Sequence, residues 1–125
     1  MINTRDLFLV YFMKPIALDG PIKIGLSGNP RERLRTSAAW SPFPLEVIGA
    51  VPGRWIDEQF LHECLADHHF HGEWFHAAPL VREAVEMVLS TGGFENVRAA
   101  LAPLRNIRTK AHRATLSYSR ERLSA

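Results

Sequence analysis

Two short segments on either side of a turn constrain this chain more than any other feature. Leu7-Phe8-Leu9-Val10-Tyr11-Phe12-Met13 is an unbroken apolar and aromatic run, and Ile22-Lys23-Ile24-Gly25 alternates apolar with polar. Between them Pro15, Asp19, Gly20 and Pro21 punctuate the backbone. A run of bulky residues bounded by turn signals reads as a buried strand, and a second strand-like stretch after such a turn reads as its hairpin partner. An antiparallel pair near the start of the chain is therefore the frame on which the rest must pack.

Past the hairpin, the chain alternates between helical and extended patterns. Asn29 is a good N-cap, Pro30 suits the first helical position and Glu32 stands where a capping box wants a carboxylate, so a helix from Pro30 to about Ala39 is expected, stopped by Pro42 and Pro44. Leu45–Val51 reads as a third strand, ended by Pro52-Gly53. Trp55 to about His69 reads as a second helix whose apolar stripe is Ile56, Phe60 and Cys64 with Leu61 and Leu65, and Glu58 and His62, four apart, share a face away from the centre of that stripe. Gly72-Glu73-Trp74-Phe75 is a short turn or strand, with Trp74 and Phe75 as core anchors. Pro79–Ser90 is a third helix with Leu80, Val81, Ala84, Val85 and Val88 inward, ended by Thr91-Gly92-Gly93. From Phe94 onward Val97, Leu101, Leu104 and Ile107 suggest a fourth helix. The expected class is α/β (α+β): a small mixed, partly antiparallel sheet of three strands flanked by helices, with residues 1–93 as one domain and a basic helix and tail over 94–125 as part of it or packed on it.

The chain of 125 residues suits one domain with its own core. Its single cysteine, Cys64, excludes an internal disulfide, and a fold that stands without one suits a reducing compartment. No apolar run reaches the roughly 18 residues of a membrane span, and the polar start does not match a secretory leader. The expectation is a cytoplasmic protein. Charge is unevenly placed. Residues 1–95 hold eight Lys/Arg against twelve Asp/Glu, a balance of −4, whereas residues 96–125 hold seven Lys/Arg against Glu121, a balance of +6. A basic tail on a near-neutral body fits contact with a polyanion, and equally a solvated helix face.

Val10-Tyr11-Phe12 and Ile22-Lys23-Ile24-Gly25, then Arg33-Leu34 eight positions after the glycine, Glu58-Gln59-Phe60-Leu61-His62, and Gly72-Glu73-Trp74-Phe75 form an ordered set. The set resembles the GIY-YIG nuclease superfamily, in particular a phage and bacterial branch that reads Lys-Ile-Gly at the second motif and Gly-Glu-Trp-Phe further on. The resemblance runs from about Leu9 to Phe75. It implies a small sheet flanked by helices that hydrolyses a phosphodiester bond in DNA with one divalent ion, Mg2+ or Mn2+.

On that resemblance, Glu58 is the expected metal ligand, since a hard cation that keeps several waters can use a single carboxylate when the substrate phosphate supplies the rest. Arg33 is the expected phosphate clamp, because a guanidinium can bind two phosphate oxygens at once. Tyr11 is expected beside the attacking water, against the alternative of a core aromatic with its hydroxyl bonded. Lys23 departs from the family pattern, which offers tyrosine there; it could serve as a fixed charge on phosphate or as a base. Leu26 stands where excision nucleases of this kind have lysine, and no asparagine matches the one expected after the metal glutamate, leaving His62, His69 or His71 as substitutes. Arg31, Arg35, Arg105, Arg108, Lys110 and Arg113 are the expected nucleic-acid contacts.

Five of six histidines lie between His62 and His76, yet their spacing is irregular, and the position that would complete a metalloprotease motif after His62-Glu63 is Ala66. Three functions stay open: a metal-dependent DNA endonuclease, a non-catalytic module of the same fold that binds nucleic acid or a protein partner, and a phage- or plasmid-encoded factor that acts on a host protein, its basic segment folding onto an acidic partner. Nothing in the sequence fixes an oligomeric state.

Overall fold

The computed structural model describes residues 8–103. Five strands and four helices follow one another as β1 (Leu9–Pro15), β2 (Ile22–Ser27), α1 (Pro30–Trp40), β3 (Leu45–Pro52), α2 (Trp55–Cys64), a 3-10 turn (Ala66–His68), β4 (His69–His71), β5 (Trp74–Phe75), α3 (Pro79–Thr91) and α4, which covers 95–103. The strands form one sheet in the order β3-β1-β2-β5-β4, and every pairing is antiparallel. The sheet is thus neither mixed nor three-stranded as the sequence suggested. Two short strands, β4 and β5, extend it past β2.

The hairpin stands where the sequence places it. Leu9 pairs with Ser27, Tyr11 with Gly25 and Met13 with Lys23. β1 is central, paired with β2 on one side and β3 on the other, which explains its uninterrupted apolar run: both faces of a central strand are covered. The pleat then sorts its residues. Val10 and Phe12, with Ile22 and Ile24 of β2, join the main core together with Phe60, Leu61, Leu65, Val81, Val85, Val88, Phe94, Val97 and Leu101 from α2, α3, α4 and their approaches. Tyr11, Met13, Lys23 and Gly25 are left for the opposite face, which α1 covers.

The local signals for α1 are realised with one exchange. Asn29 Oδ1 accepts from the Glu32 N–H at 3.3 Å and Pro30 opens the helix. The return bond of a capping box is absent among the described residues; the Asn29 N–H instead donates to Ser27 Oγ at 2.9 Å. α2 ends at Cys64 rather than near His69, because Leu65 leaves helical geometry (φ −104°, ψ 14°) and a 3-10 turn swings the chain back into β4. Its buried face is Asp57, Glu58, Phe60, Leu61 and Cys64, whereas Ile56 is exposed, so Glu58 lies inside and not on a solvated flank. Phe75 anchors the core as expected, but Trp74 is only half-buried. α3 buries Val81, Ala84, Val85 and Val88 and closes at Gly92, whose positive φ of 75° suits a residue without a side chain. α4 is helical as predicted and inserts Val97 and Leu101 into the core; the remainder of that expected helix, Leu104 and Ile107, lies outside the described residues. Among the described residues no helix is long and apolar enough to cross a membrane.

Candidate functional site

Five of the sequence-selected residues gather where β1 and β2 run between α1 and α2. Tyr11 is buried on β1. Directly across from it is Gly25, and a Cβ there would overlap the Tyr11 ring and its hydroxyl. The glycine of the second strand is therefore required by the ring's position. The charges of Arg33, Glu58 and Glu73 all act on the Tyr11 hydroxyl. Burial is the largest influence, Glu73 the next, Arg33 works in the opposite sense and Glu58 adds to the rise, so that the phenol is pushed up to about 12. Tyr11 is a neutral hydroxyl throughout the physiological range, a donor and acceptor of hydrogen bonds and a poor base.

Glu58 enters from the first turns of α2 with only 6% of its surface exposed. Burial, and then the negative charge of Glu73, raise its carboxyl above the ordinary glutamate value; His62 and a bond from Gln59 Nε2 at 3.4 Å pull the other way. His62 is one turn further along the same helix. Its Nε2 donates to the Ile24 carbonyl at 2.9 Å, which fixes the tautomer and leaves Nδ1 as the acceptor. The ring also meets Phe75 edge-on at 4.9 Å. Of the three histidines that sequence left open, His62 is the one joined to β2 beside Glu58, whereas His69 bonds the Gly72 carbonyl at 2.8 Å on the far hairpin.

Lys23 is held from three directions. Its Nζ donates to Ser37 Oγ of α1 at 3.0 Å, lies 4.0 Å from Glu73 Oε2 and sits 5.9 Å from the centre of the Tyr11 ring. Arg33 is exposed on α1, forms no ion pair among the described residues, and borders a polar hollow of about 440 Å³ with Ser27, Asn29, Glu32 and Thr36. Arg31 and Arg35 are exposed on the same helix. Arg105, Arg108, Lys110 and Arg113 lie outside the described residues.

Sequence reasoning passes over one member. Glu73 pairs with Lys23 and bears on both Tyr11 and Glu58. By sequence alone it belongs to Gly72-Glu73-Trp74-Phe75, a core anchor; only the pairing of β5 with β2 brings its charge to the site. Among the described residues no three His, Cys, Asp or Glu side chains are grouped to hold a metal ion. Any cation here has to rely on few protein ligands.

The fold and cluster together define a small α+β domain with a charged, partly buried cluster of side chains built on its first hairpin. A family model for the T5orf172 domain matches residues 9–91, and the chain belongs to that family. This overturns the resemblance to the GIY-YIG superfamily, since the matching family is a different one. No curated protein and no solved structure gives a match to the chain.

Proposed function

We propose that this domain hydrolyses phosphodiester bonds in DNA with the help of one divalent cation, Mg2+ or Mn2+. Membership of a nuclease-like domain family supports a nucleic-acid-related role. The observation that carries the chemistry is the meeting of Tyr11, Arg33, Glu58 and His62 at one hairpin, with Glu73 and Lys23 beside them. A buried carboxylate repelled by a second one fits a hard cation: Glu58 would hold it, with water and the substrate phosphate completing its shell. When bound, such an ion polarises the phosphate and lowers the proton affinity of its water.

The residues then divide the remaining work. Arg33, free of a carboxylate partner among the described residues, binds the phosphate oxygens as negative charge builds on them. Tyr11, held neutral, orients the water or a phosphate oxygen by hydrogen bonding and does not take the proton. His62, its Nε2 already committed to Ile24, offers Nδ1 as the proton acceptor. Lys23 keeps a positive charge at the edge of the pocket, fixed by Ser37 and Glu73.

The decisive measurement is cleavage of plasmid and branched DNA with Mg2+ or Mn2+, comparing the native chain with Glu58→Ala and Arg33→Ala. Each variant is expected to lose about 100-fold or more in rate. Full-rate cleavage by Glu58→Ala removes the assignment. One observation favours a second reading, a module that binds nucleic acid or a protein without cutting: Lys23 is engaged within the fold and so is not poised on a substrate. That reading expects salt-sensitive binding and no metal-dependent product.

A further inference from the structure

α1 is unusual for a helix in so small a domain, because none of its residues is buried. Helices in proteins ordinarily gain their stability by covering an apolar face. Here the sheet-side stripe of α1 instead borders two hollows. Arg33 lines the polar one; Ser37 and Trp40 line a larger groove of about 610 Å³; Thr36 lines both. Arg33, Ser37 and Trp40 are spaced i, i+4, i+7, so they share one face, with Arg33 and Trp40 about 10 Å apart along the axis.

The larger groove is walled by aromatic side chains that face solvent. Trp40 is 87% exposed, Phe70 58% and Phe43 52%, and Trp74 completes the wall. Lys23, the residue that also lies over Tyr11, is part of its lining. The groove thus shares Lys23 with the charged cluster and Thr36 with the hollow at Arg33.

We infer that this groove receives an unpaired nucleobase of the strand whose phosphate sits at Arg33. The inference rests on the reading of the adjacent pocket as a phosphate site. An aromatic ring open to solvent stacks on any base whose face is free, and that requires a base out of the duplex stack, either single-stranded or extruded. Ser37, whose hydroxyl accepts from Lys23 and keeps its proton to donate, and His71 on the groove wall supply polar contacts for the edge of the base, while the Thr36 and Ser41 hydroxyls donate to the Glu32 and Phe43 carbonyls. A span of about 10 Å from Arg33 to Trp40 is one to two nucleotides of extended strand. A peptide without acidic groups could use the aromatic wall but would leave the neighbouring Arg33 without an anionic partner.

The test is anisotropy of a labelled single-stranded oligonucleotide with the full chain in EDTA, where nothing is cut. A second oligonucleotide of equal length and charge carries abasic sites. Trp40→Ala and Phe70→Ala, both at exposed positions, are each expected to weaken binding of the normal oligonucleotide by about tenfold. The abasic strand is expected to bind the native chain more weakly and to ignore both substitutions. Equal affinity of the native chain for the two strands, or of Trp40→Ala and the native chain for the normal strand, overturns the inference. Because this assay is separate from cleavage, Glu58-dependent cutting with no effect of Trp40→Ala retains the hydrolytic reading and discards the groove. Base-dependent binding without cutting does the reverse.

Discussion

Tyr11 and Gly25 are cross-strand partners whose packing leaves no room for a side chain on the glycine. The close approach sets the height of the phenol above β2 and so the place of its hydroxyl among Arg33, Glu58 and Glu73. Gly25→Ala forces the ring or the strand to move, an overpacking that is expected to cost about 1–3 kcal/mol in urea unfolding. Tyr11→Ala leaves space beside position 25. The cost of Gly25→Ala should therefore largely vanish in the Tyr11→Ala background, a coupling that a double-mutant cycle reads directly.

The same burial makes Tyr11 a reporter on the pocket. Its phenol is pushed up to about 12, from an ordinary value of 10.0. The chain has two tyrosines, and Tyr118→Phe leaves Tyr11 alone to be followed by phenolate absorbance. The expected midpoint lies near 12 in the folded protein. Between the two values the unfolded chain releases its proton while the folded chain retains it. Stability from this group is thus complete below the ordinary value and is lost as pH rises toward the raised one. Tyr11→Phe should flatten that alkaline loss. A midpoint near the ordinary value would mean that the ring is solvated.

Asp57 closes the far side of α2. Its Oδ2 accepts from the Arg54 N–H at 2.8 Å, and its Oδ1 from Arg98 Nη2 of α4 at 2.7 Å; the Arg98 guanidinium also lies 4.8 Å from the centre of the Phe60 ring. One carboxylate caps the helix that carries Glu58 and ties it to α4. Asp57→Ala is expected to cost roughly 2–3 kcal/mol by chemical denaturation, since it removes a cap and a charge-assisted bond together. Arg98→Ala, at a partly exposed position, is expected to cost roughly 1 kcal/mol.

Legibility in the sequence divides by range. The hairpin, the Asn29 cap with Pro30, the inward face of α3 and its Gly92 stop are written in neighbouring residues, and all are found in place. β4 is not. Its three residues, His69-Phe70-His71, are exposed, and neither proline nor glycine marks the end of α2, so helical spacing reads straight through the 3-10 turn. For the site, motif spacing selects Tyr11, Arg33 and Glu58, and these do act on one another. Glu73 and the burial of Glu58 depend on β5 pairing with β2 and on which way α2 is rolled. Those are tertiary outcomes, and a stripe judged from Ile56, Phe60 and Cys64 misses the roll by about one residue.

Glu58 carries the cost of that burial, and removing its charge should stabilise the domain. The folded carboxyl titrates above its ordinary value of 4.5 because burial and Glu73 both oppose its charge. Below the ordinary value both states of the chain hold the proton and there is no penalty. As pH rises from there the unfolded chain ionises first, so stability falls until the folded carboxyl ionises too, and the penalty then remains. Glu58→Gln keeps the shape and removes the charge. In EDTA its melting temperature is expected to exceed that of the native chain at neutral pH, with the gap closing on acidification through the raised glutamate range. Added Mg2+ or Mn2+ should stabilise the native chain and leave Glu58→Gln unmoved, because only the carboxylate offers the ion a ligand. A variant that melts below the native chain at neutral pH would show that Glu58 is compensated by its surroundings and is not held in waiting for a cation.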